Sequence, residues 1–212
     1  MAGRVRFVGA VIVTALVVAA CTVGSGNLIT ETRDVSDFDE IVLLGSGDVI
    51  VTVTGTESLE IEAEDNIMPL LTSDVVDGRL ELGQTESITT SRGITYTITA
   101  AQLVGVTIKG SGDINGTDID AISFEAAIEG SGNIDIAGTS DDLTVRIEGS
   151  GEVDGRDLTS ATGTVTIDGS GSAVVNVTDD LTVTINGSGD VEYMGDPVLN
   201  QTINGSGSVS RR

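Results

Sequence analysis

Six stretches of the chain decide its fold: VGVTIKGSGDI (104–114), FEAAIEGSGNI (124–134), LTVRIEGSGEV (143–153), GTVTIDGSGSA (163–173), LTVTINGSGDV (181–191) and LNQTINGSGSV (199–209). Aligned on Gly-Ser-Gly, all six carry Ile two residues before the first Gly: Ile108, Ile128, Ile147, Ile167, Ile185 and Ile203. Four residues before it stand Val106, Ala126, Val145, Val165, Val183 and Gln201; six before stand Val104, Phe124, Leu143, Gly163, Leu181 and Leu199. The positions between are mostly polar, such as Thr107, Thr144, Arg146, Thr166, Thr182 and Thr184. Period-two alternation marks a half-buried strand, and here it returns every 18–20 residues. After each Gly-Ser-Gly a polar residue (Asp113, Asn133, Glu152, Ser172, Asp190, Ser208) precedes a small or branched apolar one (Ile114, Ile134, Val153, Ala173, Val191, Val209).

One such unit is too small to bury its apolar face, whereas stacked copies share a continuous core. The pattern therefore predicts an all-β fold, a right-handed parallel β-helix (β-solenoid) with 18–20-residue rungs and Gly-Ser-Gly corners. Polar turns such as Thr139-Ser140-Asp141-Asp142 and Thr178-Asp179-Asp180 are expected to close the rungs. Equivalent Ile residues become a ladder along the axis, each contributing about 1.5–3 kcal/mol when fully buried. Gly supplies the positive φ or close backbone approach that a narrow corner needs, and the Ser between is expected to hydrogen-bond to the Ser of neighbouring rungs. In the column after the corner (Asp, Asn, Glu, Ser, Asp, Ser) each acid is followed by a neutral residue, which suits parallel in-register stacking because stacked carboxylates repel.

Outward from this core, Gly45-Ser46-Gly47 repeats the corner once, and VIVTVTG (49–55), SLEIEAE (58–64), RLELG (79–83) and ITYTITA (94–100) alternate as strands. NIMPLLT (66–72) is the one helical turn expected, limited by Pro69. We assign 37–212 to one solenoid domain, with 37–100 its irregular, capping beginning and 101–212 its regular rungs. Arg211 and Arg212 at the far edge are expected to discourage strand pairing there.

The chain begins like an exported protein. Arg4 and Arg6 precede a fourteen-residue apolar run, FVGAVIVTALVVAA (7–20), too short to span a bilayer and of signal-peptide length. Val18-Ala19-Ala20-Cys21 resembles a bacterial lipobox, so cleavage between Ala20 and Cys21 and lipid attachment at Cys21 are expected. Cys21 is the only Cys, which excludes an intramolecular disulfide. Residues 21–36, polar and containing Gly and Ser, read as a flexible tether. The expected location is the outer side of the bacterial cell membrane, with membrane lipid as one partner through Cys21.

Composition narrows the function further. Asp plus Glu number 33 against 10 Lys plus Arg, a net charge of −23, which argues against nucleic acid as a partner. His is absent, removing the commonest acid–base catalyst and metal ligand. Aromatics make up 2%, leaving few stacking platforms, yet hydrophobics at 39% suffice for a core.

GSGDVIVT (45–52), DNIMPLLTSDVVDGRLEL (65–82), ITYTITA and the repeated (V/I)-x-I-x-G-S-G-(D/N) resemble the head GIN domain family of autotransporter adhesin heads over residues 36–210. The resemblance implies a β-helical fold and exposure at the bacterial surface, and brings no catalytic residues.

A calcium-binding roll needs Gly-rich corners twice per turn with an Asp in each, and half the rungs here place Asn or Ser there, so no metal and no cofactor are expected. Gly-Ser-Gly is followed by no Gly-Lys-Ser/Thr and is no phosphate loop. Ser and Thr lack a His partner, and no Ser-x-x-Lys occurs. Asp141-Asp142, Asp179-Asp180 and Asp118/Asp120 invite comparison with a glycosidase pair, but among 33 acids some pairing is inevitable. Of the four aromatics after the leader (Phe38, Tyr96, Phe124, Tyr193), Phe124 sits in the inward column, while Tyr193 suits either core or ligand. A β-helical polysaccharide lyase would need a base such as Lys109, Arg146 or Arg156 beside calcium. The expectation is a non-catalytic, acidic, rigid envelope lipoprotein for adhesion to an envelope polymer or a protein partner; the alternative is a β-helical envelope enzyme acting on polysaccharide.

Overall fold

The computed structural model of the chain describes residues 21–212, so the leader, its apolar run and Ala20 lie outside the described residues. The N-terminal part contains β1 (Thr22–Val23), β2 (Leu28–Arg33), β3 (Glu40–Leu43), β4 (Asp48–Val53) and β5 (Ser58–Glu64). A 3-10 turn, Met68–Leu70, holds Pro69 in its first turn, where a missing N–H costs nothing. β6 (Leu71–Val76), β7 (Arg79–Gln84), β8 (Ile88–Thr89) and β9 (Thr95–Ala100) follow. The regular part contains β10 (Gly105–Gly110), β11 (Asp113–Gly130), β12 (Asn133–Gly149), β13 (Glu152–Gly169), β14 (Ser172–Gly187), β15 (Asp190–Met194), β16 (Val198–Gly205) and β17 (Ser208–Arg211).

The fold is an all-β solenoid of about five turns. Residues before each corner form one wall: β7, β3, β10, the second halves of β11–β14, then β16, all parallel. Residues after the corner form a second wall, from β9 through β4, the first halves of β11–β14, to β15 and β17, again parallel. The Ile column pairs in register from rung to rung: Leu43 with Ile108, then Ile128, Ile147, Ile167, Ile185 and Ile203. All except Ile203 are buried, together with the Val106, Val145, Val165 and Val183 column. Alternation seen in the sequence therefore becomes a lengthwise core, and Phe124 belongs to it.

The expected polar turns are not turns. Asn133–Gly149 is one strand through Thr139–Asp142, and Ser172–Gly187 is one strand through Thr178–Asp180. The ladder skips one to three positions at its irregularities: Asp141 alone between Ser140 and Asp142, and Thr178 and Asp179 between Val177 and Asp180. Small polar residues fit this bend because each meets its counterpart one rung away: buried Ser140 bonds buried Ser160 at 2.7 Å, and Thr162 donates to Asp142.

At the corners, a Cβ on Gly151 would stand 2.8 Å from Ile128 Cγ2 and would collide with the Gly132 carbonyl. Gly149 has φ +135, and a Cβ there would run into the Gly130 carbonyl. Both glycines are therefore demanded by stacking corner on corner. The expected Ser-to-Ser hydroxyl ladder is replaced by backbone bonds: Ser131, Ser150, Ser170 and Ser188 N–H donate to Gly110, Gly130, Gly149 and Gly169 at 2.8–3.0 Å. These Ser residues are exposed, so water solvates their hydroxyls and no ladder is needed.

Residues 28–33, expected as flexible tether, form an antiparallel strand against Leu59–Glu64. Nearly every residue of β2 is exposed, so no hydrophobic alternation could reveal it. Its ladder and Arg33, which donates to the Leu71 carbonyl at 2.9 Å and the Met68 carbonyl at 3.2 Å, hold it instead. Antiparallel pairs β2–β5, β5–β9 and β6–β7 close this end of the stack.

Candidate functional site

The outward columns of the first wall carry both signs of charge near its N-terminal end, without strict alternation. Arg79 pairs in register with Glu40, Lys109 with Glu129, and Glu129 with Glu148. Together with Glu81, Glu125 and Arg146 they line a groove of about 470 Å³. Two of the three expected basic candidates, Lys109 and Arg146, thus line the same groove from strands two rungs apart, β10 and β12, with β11 between them. Each is held by an acid: Lys109 Nζ lies 3.2 Å from Glu129 and Arg146 Nε 3.1 Å from Glu125. Half-exposed pairs of this kind contribute little stability. Both cations are nonetheless engaged with carboxylates, and neither stands free in the groove.

The third, Arg156, lies on the second wall and clasps Asp154. Asp154, though partly desolvated, is held below the ordinary Asp range by that guanidinium. Asp135, desolvated beside the Asp154 and Asp157 charges, is pushed above it. Asp141, Asp142, Asp179 and Asp180 are exposed, with Asp142 and Asp179 taken up by Thr162 and Thr178. Among the described residues no three acids or Cys gather where a metal ion would sit. Tyr193 is half-buried and packs against the core. Tyr96 is buried outright, which pushes its hydroxyl up to about 12. A second groove, of about 560 Å³, runs past Glu40, Leu103, Asp120 and Ile122, the last 79% exposed.

Sequence reasoning missed Glu64. It is the one buried charged residue among those described, at 0% exposure, on the last position of β5. Its Oε1 accepts from Gly26 N–H at 2.7 Å and Ser91 Oγ at 2.8 Å, and its Oε2 from Ser91 N–H at 3.2 Å. Hydrogen bonds from Thr90, against the cost of desolvation, and then from Ser91 and Gly26 hold its carboxyl down at about 2. Beside it Ser25 Oγ donates to Asp65, Ser25 N–H donates to Asn66 at 2.8 Å, and Asn66 donates to the Val23 carbonyl at 2.9 Å. Cys21 is exposed, with its Sγ 3.2 Å from Thr89 Oγ1. The segment after Cys21 is clasped to the body rather than trailing from it. Gly24-Ser25-Gly26, a copy of the corner within the stretch expected as a tether, is the one signal in the sequence that could have pointed here.

Because the folded carboxyl lies below its unfolded value near 4.3, Glu64 stabilises the clasp fully above that value. The contribution is lost as pH falls toward 2. Glu64→Gln places donors against donors, and at neutral pH it should strip hydrogen-exchange protection from residues 28–33 while leaving β11–β14 protected. Unchanged protection in β2 would mean the clasp does not depend on the carboxylate.

Fold and site together define a β-solenoid of parallel-strand walls along which Lys109, Arg146, Arg156, Arg211 and Arg212 are each paired with an acid. The chain belongs to the family described as "putative auto-transporter adhesin, head GIN domain", whose sequence pattern matches residues 37–197. Three solved structures share the fold. A "putative adhesin" from Bacteroides fragilis is 24% identical, with TM-score 0.69 over 90% of this chain and 99% of that one. A "putative lipid binding protein" from Parabacteroides distasonis is 22% identical, with TM-score 0.62 over 91% and 100%. A "putative adhesin" from Parabacteroides merdae is 21% identical, with TM-score 0.53 over 90% and 98%. No curated protein matches the chain.

Proposed function

We propose that the protein is a non-catalytic adhesion module of the bacterial envelope, exported, lipidated at Cys21 and holding its solenoid outside the cytoplasm. Membership of the adhesin-head family over most of the solenoid carries this reading. It is supported by the ion pairs that occupy Lys109, Arg146 and Arg156, and by an apolar leader ending at the single Cys. A surface of rigid parallel strands presents fixed columns of side chains at about 4.8 Å spacing, suited to a repetitive polymer or a protein edge.

Deleting the protein should reduce attachment of cells to surfaces or to one another, with restoration by the wild-type chain. Equal attachment across surfaces and partners would contradict the reading. Cys21→Ser should move the protein from the membrane to the soluble fraction; retention would place the anchor elsewhere.

The groove joining Lys109 and Arg146 to Glu40, Glu81 and Glu148 favours a second reading, a polysaccharide-cleaving enzyme. Incubation with acidic polysaccharides tests it. New chain ends that vanish in Lys109→Ala would support cleavage, and intact polymer with either protein would dismiss it.

A further inference from the structure

The large sheet has four edge strands among the described residues: β2, β6, β16 and β17. Natural edges are blunted by charges or Pro, because an open strand pairs with any other. β2 carries Glu31 and Arg33, β6 carries Asp74 and β17 carries Arg211. β16, Val198-Leu-Asn-Gln-Thr-Ile-Asn-Gly205, carries no charge in eight residues. The expected guard of Arg211 and Arg212 is spent elsewhere, on Asp196 at 2.9 Å and Glu192 at 3.4 Å, and covers only the second wall.

This edge also leaves the core unfinished: Ile203, last of the Ile ladder, is 36% exposed and Leu199 only half-buried, whereas their partners Ile185 and Leu181 are buried. Val198, in the outward column with Asp180, is 65% exposed. Asn204 donates to Asn186 at 2.9 Å, which donates to Asp168 at 2.7 Å, and the Asn204 side-chain carbonyl accepts nothing among the described residues. The backbone edge and the apolar column are thus open to one more strand. β16 and β17 lie beyond the residues that the family pattern matches.

We propose that β16 is a homophilic docking edge, pairing antiparallel with β16 of a second copy across a two-fold axis. Charge selects the occupant. In a chain of net charge −23, most surfaces of two copies repel. Residues 195–212 hold one acid, Asp196, against two Arg, so this end meets its copy with little carboxylate repulsion. Position adds the geometry. The clasp fixes Cys21 beside β8, and β2 and β17 are the opposite ends of the second wall, so the docking edge lies at the end away from the anchor. Two-fold pairing at β16 places two solenoids end to end with anchors outermost, which bridges two membranes. The proposal rests on the adhesion reading and specifies its partner as a second copy of this chain.

The test uses the chain from Cys21 to Arg212, which contains every described element, coupled through its Cys21 thiol to maleimide lipid in phosphatidylcholine vesicles. Wild type should clump the vesicles, more strongly as salt screens the repulsion between bodies. In solution it should sediment as a concentration-dependent dimer. Val198→Lys with Thr202→Lys should abolish both while circular dichroism and melting stay as in wild type. General electrostatics predicts the reverse, since added cations on an acidic body favour association. Ser150→Lys with Ser170→Lys, at exposed corners, should leave clumping intact.

Monodisperse wild type at every salt concentration, equal clumping by the edge variant, or equal loss in the corner variant would each overturn the proposal. If cells expressing the edge variant still attach to foreign surfaces, the adhesion reading survives a failure here.

Discussion

Ile147→Asp is expected to unfold several rungs in one step. Ile147 is buried, paired in register with Ile128 and Ile167, and Gly171 of the next rung closes over it, a Cβ there colliding with Ile147 Cγ2. An Asp at this position puts a carboxylate among aliphatics with no donor to meet it, which costs far more than a lost methyl. Stacked rungs stabilise one another, so losing one interface exposes the faces of both neighbours. The milder Ile147→Ala should cost about 2–5 kcal/mol. Far-UV circular dichroism and thermal melting read both. An unchanged melt for Ile147→Asp would mean that the column faces water.

The second large effect separates the two residue types of the corner. Gly149→Ala forces a side chain into φ +135 and into the Gly130 carbonyl. Strain and overpacking together should cost about 2–6 kcal/mol. Ser150→Ala, one residue away, removes only an exposed hydroxyl and should stay within about 0.5 kcal/mol of wild type. Its backbone N–H still donates to Gly130 at 3.0 Å. Denaturant midpoints of the two variants measure the difference. Equal midpoints would show that the corners are not packed backbone on backbone.

The regular rungs were legible because their physics is local and repeated. Six Ile residues at one offset from six Gly pairs leave one consistent stacking, and the structure pairs them one rung apart. The alternation of acids and neutrals holds along the regular rungs, where Asn133 donates to Asp113 at 2.9 Å and Ser208 to Asp190 at 2.6 Å, and breaks one rung earlier, where Asp48 stacks on Asp113. The bend at Thr139–Asp142 was misread because polar residues signal turns locally, whereas here the next rung supplies their partners. β2 was missed because an exposed edge strand needs a backbone ladder and no apolar face. Glu64 stayed hidden for a different reason. SLEIEAE alternates with its acids outward, and only the return of Gly26 and Ser91 over the last residue buries it.

Lys109 and Arg146 show the same boundary between local and distant information. Their types were visible, and so was their tendency to pair with acids. That the stacking would set them on one groove with Glu129 and Glu125 depended on a register known only once the rungs were aligned.

The arrangement of rungs is tested most directly by nuclear Overhauser contacts between methyl groups in protein labelled only at Ile, with signals assigned by single Ile→Val variants. Ile128 should contact Ile147, and Ile147 should contact Ile167, across one strand spacing of about 4.8 Å. Ile128 and Ile167, two spacings apart, should show a far weaker signal. Absence of the Ile128–Ile147 contact, or rapid solvent relaxation of either methyl, would contradict the solenoid and the functional reading built on it.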